Sequence, residues 1–460
     1  LNLRQILEQR LPTICAWLLP AIIFFCIFYL HPHWGLMDDV TNVFYMVPLM
    51  NKVGIFHHAV AYGIGDISWG MFRPTYPPMV YLVYAPGMST AAWVTFAWNA
   101  LLVCGVIFFY AFVLSRILSL PLAPILLASG AFFYGHDLLQ HPSLQEKMVL
   151  LAGAGFTWHC WTRDRWKTPA FWAVAILWIV FGASVKASFA IHYCVAFMAF
   201  VGASAAGLKA RELRTWIETI LLAAIGVAMV LVFAYLSRQG SYTSQYSGSK
   251  VIPNLLTMHG PFFLIPILAV LGWCAWNWRN TWAHPEVLVP VTGVSAFLAL
   301  FLPWGIGGYV QSVITPLYGA MTVQLCIWYL KKIPSAVWLV PLALLSIAVT
   351  SYRSFVNFGR LHDIGNIVAH AAEFEQKGIS EIWMPCNEGS LSMDRFFHEI
   401  GSKLTVKEQL PGMPTKGKVM LYDQSMCTVP DRLPLPLDCP NPQMILPGSF
   451  PKSYRVLSCP

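Results

Sequence analysis

The sequence predicts a mainly α protein: a polytopic transmembrane helical bundle of about eleven spans, followed by a small α/β C-terminal domain. Three observations predict it. First, 57% of the 460 residues are hydrophobic and only 11% charged, and the mean hydropathy is +0.59; no ordinary soluble domain has this balance. Second, the apolar residues fall in repeated long runs, and every second loop between them is basic. Third, the composition turns polar from about Arg353 onward.

The predicted spans are about Leu11–Leu30, Ala91–Leu114, Leu122–Tyr134, Met148–Trp161, Ala170–Gly182, Ala187–Gly207, Trp216–Leu236, Phe262–Trp276, Val287–Trp304, Val313–Leu330 and Ala336–Thr350. Several are shorter than the ~20 residues of a straight crossing. The fifth and sixth are separated only by Ser184-Val185-Lys186, so one long kinked helix is an open alternative. No small-x-small cleavage site follows the first span, which reads as a retained anchor. Residues 1–352 form the expected membrane domain and 353–460 the small domain.

The net charge of +8 is carried in the short loops, as a topology signal and not as a nucleic-acid stripe. Arg4 and Arg10, Arg116, Arg163 with Arg165 and Lys167, Lys209 with Arg211 and Arg214, Arg279, and Lys331-Lys332 mark the cytoplasmic side. The N-terminus is then cytoplasmic, and the small domain lies on the outer, periplasmic side of a bacterial inner membrane. Cys386, Cys427, Cys439 and Cys459 lie in that domain, where an oxidising compartment favours two disulfides, with three possible pairings. Cys15, Cys26, Cys104, Cys160, Cys194, Cys274 and Cys326 lie in or at apolar spans, as small hydrophobes.

The first outer loop, residues 31–87, opens on Trp34-Gly-Leu-Met-Asp38-Asp39. Two adjacent carboxylates close to a bilayer need water, a partner or a cation. Val40–Val53 is apolar and aromatic and is expected to lie along the interface as a helix. Ile67–Tyr84 is a second half-apolar piece holding Arg73 and Tyr76, and Pro77-Pro78 starts or breaks a helix there. The second outer loop carries His136, Asp137, His141, Glu146 and Lys147; the third carries Lys186; the fourth carries Arg238, Tyr242 and Tyr246. In the small domain, Leu361–Gln376 and Met393–Ile400 read as helices, and Glu381–Pro385, Lys418–Asp423 and Tyr454–Ser458 as strands.

Paired acids suit a divalent cation such as Mg, Mn or Ca, or a general base acting on a hydroxyl. Lys and Arg at an interface suit a phosphate headgroup. Together these outer-face groups fit a reaction of a phosphate-linked lipid with a hydroxyl acceptor. Each group also has a plainer role. Asp38-Asp39 can cap the Val40 helix; Glu146 can pair with Lys147; Lys186 can snorkel to headgroups; Arg73 can anchor the Pro-rich turn. Arg238 and Arg353 can anchor span ends.

In the acidic pair just after the first span, the interfacial segments behind it, the acidic second outer loop and the Gly182–Lys186 stretch, the chain resembles the GT-C superfamily of membrane glycosyltransferases, among them aminoarabinose, mannosyl and arabinosyl transferases. Ala187 stands where that family's Gly follows the lysine. The resemblance covers the architecture to about residue 350. It implies a polyprenyl-phosphate-linked sugar donor, a glycan, lipid or protein acceptor such as a pilin, and inversion at the anomeric carbon. By the same resemblance one of Asp38 and Asp39, with Asp39 favoured, is the base. The other carboxylate orients the site or binds metal. Glu146 is the second-loop acid, with Asp137 as rival. His136, His141 and Lys147 meet the departing phosphate, with Lys186, Arg73, Arg238 and Arg353 as further phosphate ligands. Tyr76, Tyr242 and Tyr246 stack on sugar or prenyl groups. A transporter or flippase of lipid-linked sugars is the alternative, although its acids would be expected nearer the midplane, in repeated halves.

Overall fold

The computed structural model describes residues 42–68, 72–88, 92–131, 142–163, 165, 168–186, 261–276, 315–330, 366–367, 369–384, 393–395, 397–410, 413–422, 441–448 and 455–460, with isolated helical positions at 224, 228, 231, 235, 341, 345, 348–349 and 352. These residues are mostly helical, with one small sheet.

A π turn, Asn42–Met46, leads into α1, Val47–Val53. Pro48 sits in the first turn of α1, where its missing N–H costs nothing, and Gly54 at φ +93° ends the helix with its N–H on the Met50 carbonyl at 2.9 Å. The predicted single helix over Val40–Val53 is thus a π turn joined to a short α-helix. Next come α2, Ile55–Ser68, and α3, Tyr76–Met88. The segment Ile67–Tyr84 is therefore not one piece: it contains the end of α2, a turn at Pro74-Thr75 and most of α3. Pro77 and Pro78 do start a helix, lying within the first turn of α3.

The hub is α4, Ala92–Leu118. Its 27 residues reach about 40 Å at helical rise. It is the one helix among the described residues long and apolar enough to cross a membrane. Around it pack α3, α5 (Leu122–Ala131), α6 (Pro142–Thr162) and α9 (Thr315–Leu330). Helix α7, Pro169–Val185, packs on α6, where the Trp178 indole donates to the Val149 carbonyl at 3.2 Å. It begins as its sequence dictates: Thr168 is extended, its hydroxyl accepts from the Phe171 N–H at 3.4 Å, and Pro169 follows. Helix α8, Pro261–Trp276, meets α9 through stacked Trp273 and Trp328, centroids 4.2 Å apart.

Helix α4 runs to Leu118, four residues past the expected end at Leu114, and two further span boundaries differ from expectation. Helix α6 starts at Pro142, not Met148, because Pro is preorganised for a first helical residue and the Leu-Gln-Glu-Lys run behind it propagates well. Helix α7 stops at Val185, with Lys186 extended at φ −155°, ψ 131°, so no single helix runs through Lys186. The spans Leu11–Leu30, Ala187–Gly207 and Val287–Trp304, and most of Trp216–Leu236 and Ala336–Thr350, lie outside the described residues.

The small domain carries a five-stranded mixed sheet in the order β2-β1-β3-β5-β4. The strands are β1 Glu381–Met384, β2 Thr405–Glu408, β3 Lys418–Tyr422, β4 Gln443–Leu446 and β5 Arg455–Cys459. Strand β1 pairs parallel with β2 and β3, and β5 pairs antiparallel with β3 and β4. Helix α10, Ala371–Gln376, ends at Lys377-Gly378 as its sequence predicts, with Gly378 at φ +76°. Phe374, Ile382, Met384, Phe397, Val406, Leu421 and Val456 make the core between helices and sheet. Strands β2 and β4 are additions to the sequence reading. Cys459 is disulfide-bonded to a partner outside the described residues, where Cys386, Cys427 and Cys439 also lie.

Candidate functional site

The site is built on the turn between α2 and α3. Its backbone closes when the Tyr76 N–H donates to the Arg73 carbonyl at 3.1 Å, and Gly63 of α2 lets Pro74 approach closely. A Cβ on Gly63 would stand 3.0 Å from the Pro74 Cβ. The turn aims Arg73 back onto α2. Its Nε donates to Asp66 Oδ2 at 3.0 Å, its Nη2 reaches the Tyr62 hydroxyl at 3.4 Å, and its Cζ lies 5.1 Å from the Tyr76 ring centroid. Burial works against the guanidinium charge, yet Tyr62 and Asp66 outweigh it and hold Arg73 above its ordinary pKa. The Tyr62 and Tyr76 rings are 5.8 Å apart, and the Tyr76 hydroxyl meets buried Asn42 at 3.4 Å.

His58, Tyr62 and Asp66 recur every four residues, so they share the inner face of α2. Phe56, Val60 and Ile64, offset by half a turn, are 84%, 61% and 65% exposed. The helix therefore carries its polar face inward and its apolar face outward.

A second charge pair lies where α6 meets α7. Lys186 Nζ, just past the end of α7, is 3.3 Å from Glu146 Oε2. The Glu146 side chain is 1% exposed and that of Lys186 17%. Glu146 and Lys147 are expected in the second outer loop; instead both lie within α6 and both are buried, since that helix begins four residues ahead of Glu146. The two pairs are tied together by one contact: the Thr75 and Ser184 hydroxyls are 2.8 Å apart, two residues from Arg73 and two from Lys186.

No family model matches this chain, and no curated protein matches it.

Of the sequence-selected residues, Arg73 and Tyr76 share one cluster and Glu146 and Lys186 share the other. Asp38, Asp39, His136, Asp137, His141, Arg238, Tyr242, Tyr246 and Arg353 lie outside the described residues. Among the described residues no group of three or more His, Cys, Asp or Glu is arranged to hold a metal ion. The sequence reading missed Asp66 and Tyr62. The available signal was Asp66 as the sole carboxylate of a 14-residue apolar helix, at helical spacing from Tyr62 and His58.

Proposed function

We propose that the chain is an inverting glycosyltransferase of GT-C type, moving one sugar from a polyprenyl-phosphate donor to a glycan, lipid or protein acceptor at the periplasmic face of the inner membrane. The observation that carries the reading is the convergence on the Thr75–Ser184 contact. It joins the turn two residues beyond Arg73 to the helix end two residues before Lys186, so that two cations, each braced by a carboxylate, flank one contact although they are over a hundred residues apart in sequence.

Two further features support the setting. The outward apolar face of α2 suits contact with lipid better than with water. The small domain packs on Phe44 and Tyr45, which favours a common side for that domain and the acidic pair.

In the proposed reaction the acceptor hydroxyl gives its proton to the Asp39 carboxylate, and its oxygen attacks the anomeric carbon. The bond from that carbon to the lipid phosphate breaks, and the phosphate leaves with the bonding pair. Lys186 and Arg73 would meet the phosphate charge. Glu146, buried against Lys186, is assigned to brace that cation and not to exchange protons with substrate. Asp38→Asn and Asp39→Asn enzymes should retain donor binding, and at least one should lose about 100-fold or more in transfer rate. Unchanged transfer in both variants would reject the assignment.

A further inference from the structure

Each of the two cations is fixed within its own element. The Lys186 N–H donates to the Gly182 carbonyl at 3.0 Å, tying that residue to the end of α7, and its ammonium meets Glu146. The Arg73 carbonyl accepts the Tyr76 N–H, and its guanidinium meets Asp66 and Tyr62. The separation of the two cations is decided elsewhere, where the start of α3 meets the end of α7. Thr75 precedes α3, and the Met79 N–H donates back to its carbonyl at 3.3 Å, so the two residues stand one turn apart on one side. The Thr75 hydroxyl meets Ser184, and Met79 packs on the buried cluster that includes Ala183 and Val185.

The direction of the hydroxyl contact follows from its neighbours. The Ser184 hydroxyl donates to the Phe181 carbonyl at 2.6 Å. A hydroxyl has one hydrogen to give. The hydrogen of the 2.8 Å contact therefore comes from Thr75, and Ser184 Oγ accepts it. The bond to Phe181 also fixes the Ser184 side chain on α7, so the acceptor stands at one place relative to Lys186.

We propose that Thr75 and Ser184 are positioning residues: their bond sets the separation of Arg73 and Lys186, so that both cations meet one lipid-linked phosphate. Neither hydroxyl is placed against substrate. A phosphate gains from two fixed cations only where their spacing matches it, and a shift of about 1 Å forfeits much of that gain. The consequence for binding rests on the phosphate role given to the two cations above; the mechanical coupling of α3 to α7 does not.

The test titrates the full-length protein in detergent with undecaprenyl phosphate and, separately, with undecaprenol, which lacks the anionic head. Wild type should bind the phosphate more tightly. In Thr75→Val and Ser184→Ala that preference should shrink about fivefold or more, with undecaprenol affinity within about twofold. A merely structural loss would weaken both lipids alike. Thr75→Ser, which keeps the donor, should behave as wild type. Amide exchange reads the coupling itself. Thr75→Val should quicken exchange over residues 180–186 about threefold or more, and Ser184→Ala should do so over 73–79, while α5 stays as in wild type. Quickening confined to the mutated segment overturns the proposal, as does a phosphate preference left intact in Thr75→Val. A wild-type protein that does not prefer the phosphate overturns the phosphate reading instead, and the exchange result then decides the coupling alone.

Discussion

Arg73 and Asp66 show how much a single turn can depend on one pair of side chains. Both are largely buried, at 18% and 9% side-chain exposure. Removing one partner leaves the other charge desolvated, and such changes cost about 3–5 kcal/mol when the pair is fully buried, less at this exposure. Asp66→Ala should therefore lower the thermal midpoint more than Asp66→Ala combined with Arg73→Met, in which no charge remains to be stranded. Equal midpoints for the two would mean the pair is merely superficial. The Pro-rich setting of Arg73 and Tyr76 makes them conspicuous in the sequence, and the structure places the two side chains together. Asp66 is inconspicuous because its partner lies beyond the end of α2 and meets it only through the fold of the turn, which helical periodicity does not reveal. Glu146 and Lys147 are recognisable as unusual charges beside a span. Their burial inside α6 depends on where that helix starts, which a hydropathy window cannot place.

At the scale of elements, two contacts carry sharp consequences. Gly319 of α9 lies so close to α5 that a Cβ would stand 2.5 Å from Ser129 Oγ and 2.6 Å from the Ile125 carbonyl oxygen. Small residues allow this approach between apolar helices. Gly319→Ala should cost about 1–3 kcal/mol, read as a lower thermal midpoint, and Ser129→Ala should restore only part, since the backbone carbonyl remains. A midpoint unchanged by Gly319→Ala would place the helices farther apart than described. In the small domain, Glu375 of α10 accepts from the Ser402 hydroxyl at 2.6 Å and the Lys403 N–H at 2.7 Å. These bonds hold its carboxyl below the usual range. A depressed pKa contributes stability above the unfolded value, near pH 4.5, and loses it as the pH falls through the folded value. Amide protection around residues 402–406, corrected for the intrinsic slowing of exchange in acid, should therefore fall on acidification below about pH 4.5, and Glu375→Gln should flatten that response. The α10 terminus is legible from Lys377-Gly378, and β1, β3 and β5 from their apolar character. Strands β2 and β4, four residues each, are not: Thr-Val-Lys-Glu and Gln-Met-Ile-Leu acquire strand geometry from their neighbours in the sheet.

At the scale of the molecule, α4 serves as the post around which α3, α5, α6 and α9 pack, and the π turn joins that assembly to the small domain. The order of helices along the chain follows the apolar runs. The inward polar face of α2, and the docking of residues 44 and 45 onto a domain more than 300 residues away, arise only in three dimensions. The most direct measurement is the reaction itself. Purified wild-type protein in detergent, where no transmembrane gradient exists, is incubated with undecaprenyl- and decaprenyl-phosphate sugars and candidate acceptors. The account predicts one polyprenyl phosphate released per sugar transferred, with the anomeric configuration inverted. Folded protein that binds these donors yet releases no polyprenyl phosphate with any sugar or acceptor would contradict it.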